Sequence, residues 1–221
     1  YSYMKAAQEV AKKYQIKILD INQNRNFYKQ LNSFLISKNN DLVAYKEMIS
    51  QWDDFKKFPL NHDQMISTTK HIDLLISGDS NNEFINNDSI QHKFDIRNFF
   101  KIKKDKKIVL VCTSSEDETL SYSFMDESMS DKELLFVTQI DWIKSIINYA
   151  KKNQDLHFII RIHPREYKNY SHSFCSEMYE QILELAKDIP ENISINLPSQ
   201  KISIFQVVQN VDLVLNSWSS V

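Results

Sequence analysis

The chain has 221 residues, of which 27 are Lys or Arg and 29 are Asp or Glu, for a formal net charge of -2. That balance gives no reason to expect nucleic acid, whose binding needs a basic face, and the length allows one large domain or two small ones of ~100 to 150 residues each. The single glycine, Gly78, against an average usage of about 7%, excludes glycine-rich phosphate loops, so a bound anion must be held by hydroxyls, imidazole or helix N-termini. Two cysteines, Cys112 and Cys175, are too few for a disulfide framework and predict a reducing, cytoplasmic compartment. No apolar run approaches the ~18 to 20 residues of a membrane span, and no signal-peptide pattern opens the chain. The start at Tyr1 and the end at Val221, directly after an apolar strand pattern, read as a fragment cut at both ends.

Residues 1–14 carry Ala6, Ala7, Val10 and Ala11 at helical spacing, and Ile16 to Ile21 alternates as a short strand. Phe27, Leu31, Phe34 and Leu35, then Leu42, Tyr45, Met48, Ile49, Trp52 and Phe55, predict two amphipathic helices separated by Lys38 to Asp41. Trp52 and its aromatic neighbours suit core packing. Asp63 to Ser77 predicts another helix, with Gly78 as its C-cap. Gly78 to Arg97 is rich in Asn, Asp and Ser, a composition that buries little, and reads as a linker. The expected domains are therefore residues 1–90, the end of one domain plus linker, and residues 91–221. His62 and His92 have no second ligand at metal-site spacing, so no metal centre is expected.

Beyond the linker the pattern becomes regular. Strands are predicted at Ile108 to Cys112, Leu156 to Ile162, Ile193 to Leu197 and Leu213 to Leu215. Helices are predicted between them at Thr138 to Tyr149, Ser176 to Lys187 and Ile202 to Gln209. Such alternation specifies an α/β fold with a parallel, Rossmann-like sheet. Three strand ends carry polar clusters, at Thr113 to Glu118, His163 to Glu166 and Asn216 to Ser220. Parallel strands present their carboxyl ends to one side, so these clusters should meet at one crevice. At its centre Phe158 to Ile162 runs into His163-Pro164-Arg165-Glu166, with a cation and an imidazole suited to phosphate and a carboxylate suited to a hydroxyl. The plainer alternative for His163 is a strand-end histidine bonded to a neighbouring carbonyl.

Four blocks carry a resemblance: Ile108-Val-Leu-Val-Cys-Thr-Ser-Ser115, Thr138-Gln-Ile-Asp-Trp-Ile143, Ile160-Arg-Ile-His-Pro-Arg-Glu166 and Asp212-Leu-Val-Leu-Asn-Ser-Trp-Ser-Ser-Val221. In this order the chain from about Ile49 to Val221 resembles the bacterial capsular and surface polysaccharide biosynthesis proteins, glycosyltransferases of the two-Rossmann-domain GT-B type. The resemblance implies that residues 91–221 bind a nucleotide-sugar donor and that residues 1–90 end the amino-terminal acceptor domain. It implies a phosphate contact for His163, with hydroxyl and amide donors from Ser217, Ser219 and Ser220 and a ribose contact for Glu166. Arg165 either meets phosphate or forms a surface ion pair. Thr113, Ser114 and Ser115 either line the cleft or cap the following turn.

The resemblance implies catalytic roles for His163 and Glu166 and a general base from the amino-terminal domain; Asp117 or Glu118 either contributes to that task or is a solvated loop carboxylate. No cofactor is implied beyond the donor itself, linked to CMP, CDP or UDP. The implied partners are that nucleotide sugar and a glycan or lipid-linked acceptor, with peripheral association at the inner face of the cytoplasmic membrane. Because a fold does not fix a function, a sugar-nucleotide epimerase, a polyol-phosphate transferase and a non-catalytic interaction module remain as alternatives.

Overall fold

The computed structural model describes residues 7, 10–23, 34–38, 51–77, 95–116, 135–168 and 173–216. The chain divides into two compact units, Tyr1–Asp73 and Leu74–Val221. The sequence-based boundary between residues 90 and 91 lies outside the described residues.

In the first unit, residues 10–13 are helical and lead to β1 (Leu19–Gln23), which pairs antiparallel with β2 (Phe34–Lys38). β2 corrects the expected first helix of the 27–58 stretch. A lone strand at β1 would leave its N–H and C=O groups unpaired, and the ladder from Leu19 opposite Lys38 to Gln23 opposite Phe34 supplies them. That demand outweighs the helical spacing of Phe34 and Leu35. The second expected helix is described only from residue 51, as the single turn α1 (Trp52–Phe55). Trp52, Phe55 and Phe58 are exposed rather than in a core, since one turn is too short to lay an apolar stripe on a neighbour. α2 (His62–Ser77) matches its predicted span, but Gly78, its expected cap, lies outside the described residues. No described helix is long and apolar enough to cross a membrane.

The second unit is α/β. Its described strands are β3 (Lys107–Cys112), β4 (Leu156–Arg161), β5 (Ile193–Asn196) and β6 (Leu213–Asn216), all parallel, in the order β5-β4-β3-β6. All four lie where alternating apolar runs predict them. The arrangement is Rossmann-like, with helices on both faces. α4 (Gln139–Lys152) and α5 (Glu177–Leu185) pack Trp142, Ile143, Ile147, Met178, Tyr179 and Ile182 against Val109, Val111, Phe158 and Ile160. On the opposite face Ile96 of α3 (Ile96–Phe99) and Val207 of α6 (Ile204–Val208) cover Ile108, Leu110 and Ile159. Each isoleucine moved fully out of water contributes roughly 1.5–3 kcal/mol, which is why both central strands are apolar on both faces.

Helix starts follow local chemistry. Thr138 Oγ1 accepts from the Asp141 N–H at 3.1 Å and donates to its carboxylate at 2.7 Å, setting the first turn of α4. Asp95 accepts from the Arg97 and Asn98 N–H groups and so starts α3 inside the stretch expected to be linker, where Ile96 is buried. Asn192 fastens the sheet to α4, its amide donating to the carbonyls of Ala150, Asn153 and Leu156. Asp212 joins the starts of β3 and β6, accepting from the Ile108 N–H at 2.8 Å and from Lys107 at 3.0 Å, bonds that hold its carboxyl below the usual range.

Candidate functional site at the carboxyl ends of the strands

The chain runs β3, β4, β5 in one direction across the sheet and then returns to place β6 on the far side of β3. Strand order therefore reverses between β3 and β6. In open parallel sheets the crevice beyond such a reversal is where ligands bind, because loops diverge there to opposite faces. The carboxyl ends of β3, β4 and β6 carry the residues marked from sequence.

His163 follows β4 by two residues and caps the 3-10 turn Pro164–Glu166. Its Nδ1 accepts from the Arg165 N–H at 3.2 Å, and its own N–H donates to Thr113 Oγ1 at 2.9 Å. An Nδ1 that accepts carries no proton, so the neutral ring holds its proton on Nε2. Pro164 suits the first position of that turn because the turn needs no N–H from it. Arg165 is partly buried, and its described bond here is the backbone one to His163.

Glu166 is buried, with 2% of its surface exposed. One carboxylate oxygen accepts from the Glu116 N–H at 2.8 Å and the other from the Ser176 hydroxyl. Ser176 in turn caps α5, its oxygen accepting from the Tyr179 N–H at 3.1 Å, and its own N–H donates to the Glu166 carbonyl. Glu166 thus ties the β3 end, the turn after β4 and the start of α5 together. This is a positioning role, in which each carboxylate oxygen accepts from a protein donor.

Thr113, Ser114 and Ser115 are likewise buried. Thr113 Oγ1 donates to the Arg161 carbonyl at 3.2 Å, so this hydroxyl links the β3 end to the β4 end. Gln139 grips the Ser114 backbone from α4, its Oε1 accepting from the N–H at 2.7 Å and its Nε2 donating to the carbonyl at 3.1 Å. These bonds tie Thr113 and Ser114 into the protein interior, a role beyond the two expected of the trio, cleft lining and capping of the following turn. Ser217, Ser219, Ser220, Asp117 and Glu118 lie outside the described residues.

Two site-shaping residues, Glu116 and Arg161, lie within stretches singled out from sequence but carry no expected role there. Glu116, at the β3 end, is held protonated to higher pH than an ordinary carboxyl, first by desolvation and then by the charges of Glu166 and Glu177, against a bond from the Met178 N–H. Arg161, the last residue of β4, donates to Asn196 Oδ1 and, at 2.9 Å, to the Ile202 carbonyl. Burial lowers its pKa to about 10 and raises that of neighbouring Cys112 to about 11. A charged residue closing an otherwise apolar central strand was the available signal for Arg161. Among the described residues no group of three or more His, Cys, Asp and Glu could hold a metal ion. No known family model matches the chain, and no curated protein or solved structure matches it.

Proposed function

We propose that the chain carries the nucleotide-sugar donor domain of a GT-B type glycosyltransferase that extends a bacterial capsular or surface polysaccharide at the cytoplasmic face of the membrane. The observation that carries this reading is His163, presented just beyond the central strand β4 in the tautomer whose Nε2 donates. Glycosyl transfer needs the departing nucleotide phosphate stabilised while the sugar carbon gains oxocarbenium character, a task for fixed donors. His163 Nε2–H donates to a phosphate oxygen in this scheme, and Ser217, Ser219 and Ser220 add hydroxyl and amide donors. Arg165 contributes positive charge at the same mouth. Glu166 holds the turn that aims the imidazole, and Thr113 anchors its backbone. The acceptor is a glycan or a lipid-linked sugar whose hydroxyl attacks the donor carbon.

Calorimetric titration of CMP, CDP and UDP, repeated with His163→Ala, tests the reading. A bond between imidazole and phosphate contributes about 1.5–3 kcal/mol, so the variant should bind the preferred nucleotide roughly tenfold to a hundredfold more weakly. Absence of binding by the folded wild-type chain, or equal affinity in the variant, overturns it.

A further inference from the structure

Arg161 is the strongest charge at the strand ends that the proposed function leaves without a task. In the register it stands between Cys112 of β3 and Asn196 of β5. Its neighbours Ile160 and Ile162 pack toward α4 and α5, while Ile159, Cys112 and Ile202 form the core on the opposite face. Strand alternation puts Arg161 on that second face. Protein atoms enclose most of the side chain, yet it keeps a window to solvent.

The guanidinium has five N–H donors, and the described residues take two of them, both through neutral acceptors, Asn196 Oδ1 and the Ile202 carbonyl. No described carboxylate pairs with it. The ionisable group it feels is the Cys112 thiol, which is neutral at physiological pH. An arginine stays protonated here, so β4 ends in a largely desolvated cation that no described carboxylate neutralises, an arrangement that favours an arriving anion. Its acceptor is deliberately aimed: Asn196 Nδ2 donates to Gln200 Oε1 at 2.8 Å, which turns Oδ1 toward the guanidinium. A second, independent observation is next to Ile202 in the chain. Ser203, directly after the residue whose carbonyl holds Arg161, is 3% exposed and its buried hydroxyl has no hydrogen-bond partner. A buried hydroxyl without a partner is destabilising, and an arriving oxyanion would satisfy it.

We propose that Arg161 and Ser203, with Asn196 positioning the guanidinium, form an oxyanion site that binds a phosphate group on the α6 side of the sheet. The fork of guanidinium N–H groups matches two phosphate oxygens, and the Ser203 hydroxyl donates to a third. The site stands apart from the donor reading: a chain that binds inorganic phosphate through Arg161 but no nucleotide keeps this inference and loses that one.

The test is scanning calorimetry of the whole chain with increasing inorganic phosphate, against potassium chloride at matched ionic strength. Wild type, Arg161→Gln and Ser203→Ala are compared. Phosphate should raise the wild-type Tm beyond the chloride effect. Arg161→Gln should weaken phosphate binding at least tenfold, and Ser203→Ala severalfold. Ser203→Ala removes an unsatisfied hydroxyl, so its phosphate-free Tm should equal or exceed that of wild type, and this variant decides the matter if Arg161→Gln does not fold. Equal stabilisation by chloride, or phosphate affinity within twofold of wild type in Ser203→Ala, overturns the proposal.

Discussion

Replacing Glu166 by Ala should destabilise the second unit by about 3 kcal/mol, because the buried carboxylate closes two charge-assisted hydrogen bonds at once. It takes the Glu116 N–H at 2.8 Å and the Ser176 hydroxyl, and removing it strands both donors in a site that is 2% exposed. The gross value of two such bonds is ~3 to 6 kcal/mol, and the lower end applies because the Ser176 hydroxyl can rotate to a new acceptor and water can enter the gap. Glu166→Gln should cost about 1–2 kcal/mol, since an amide can still accept from the Glu116 N–H but must donate toward Ser176, whose oxygen already accepts from the Tyr179 N–H. Ser176→Ala alone should cost about 1 kcal/mol as a lost helix cap, and the double variant should fall short of the sum because both changes break the same link. Urea unfolding followed by circular dichroism measures all four. A Glu166→Ala protein within about 1 kcal/mol of wild type that has nonetheless lost nucleotide affinity would refute this reasoning and return the carboxylate to a ribose.

Two further predictions concern the supports of the sheet. His157 is buried against Ser194 Oγ at 2.9 Å, and burial, then Lys106 and Arg97, lower its pKa from 6.5 to about 4. The unfolded chain therefore binds a proton between those values that the folded chain refuses. Stability is full above pH 6.5 and falls as the pH drops toward 4, by about 1–2 kcal/mol once solvent screening of a group this close to the start of β4 is allowed for. A His157→Gln variant should lose this portion of the slope in unfolding curves taken across that range, whereas an unchanged slope would assign it to other groups. Asn192→Ala should cost about 2–3 kcal/mol, since three carbonyls at the end of α4 and the start of β4 lose their donor. Loss of less than about 0.5 kcal/mol in the same urea assay would show that these carbonyls find other partners.

The sheet of the second unit was legible because each strand is a short apolar run and each intervening helix shows a one-sided stripe, as in Trp142, Ile143, Ile147 and Ala150. Two-sided burial of β3 and β4 leaves that pattern little freedom. β2 was not legible, since Phe34 and Leu35 fit a helical stripe together with Phe27 and Leu31, and only pairing with β1 decides between the two periods. The site shows the same division. His163 and Pro164 announce a strand end by themselves, but whether Glu166 faces solvent or the Ser176 cap depends on where α5 starts in space. Gln139 is read from sequence as a polar residue at a helix start, and nothing local says that it will grip the Ser114 backbone. Arg161 needed the register, which sets it between Cys112 and Asn196 and away from any described carboxylate.

The most direct test of the central claim is the nitrogen spectrum of histidine-labelled protein, recorded with and without CMP, CDP or UDP. Free His163 should carry its proton on Nε2, the preferred nucleotide should shift this Nε2 resonance, and His157, bonded to Ser194 on β5, should not respond. A His163 protonated on Nδ1 in the neutral ring, or an Nε2 resonance that stays put when nucleotide binds, would contradict the claim that this imidazole holds the donor phosphate.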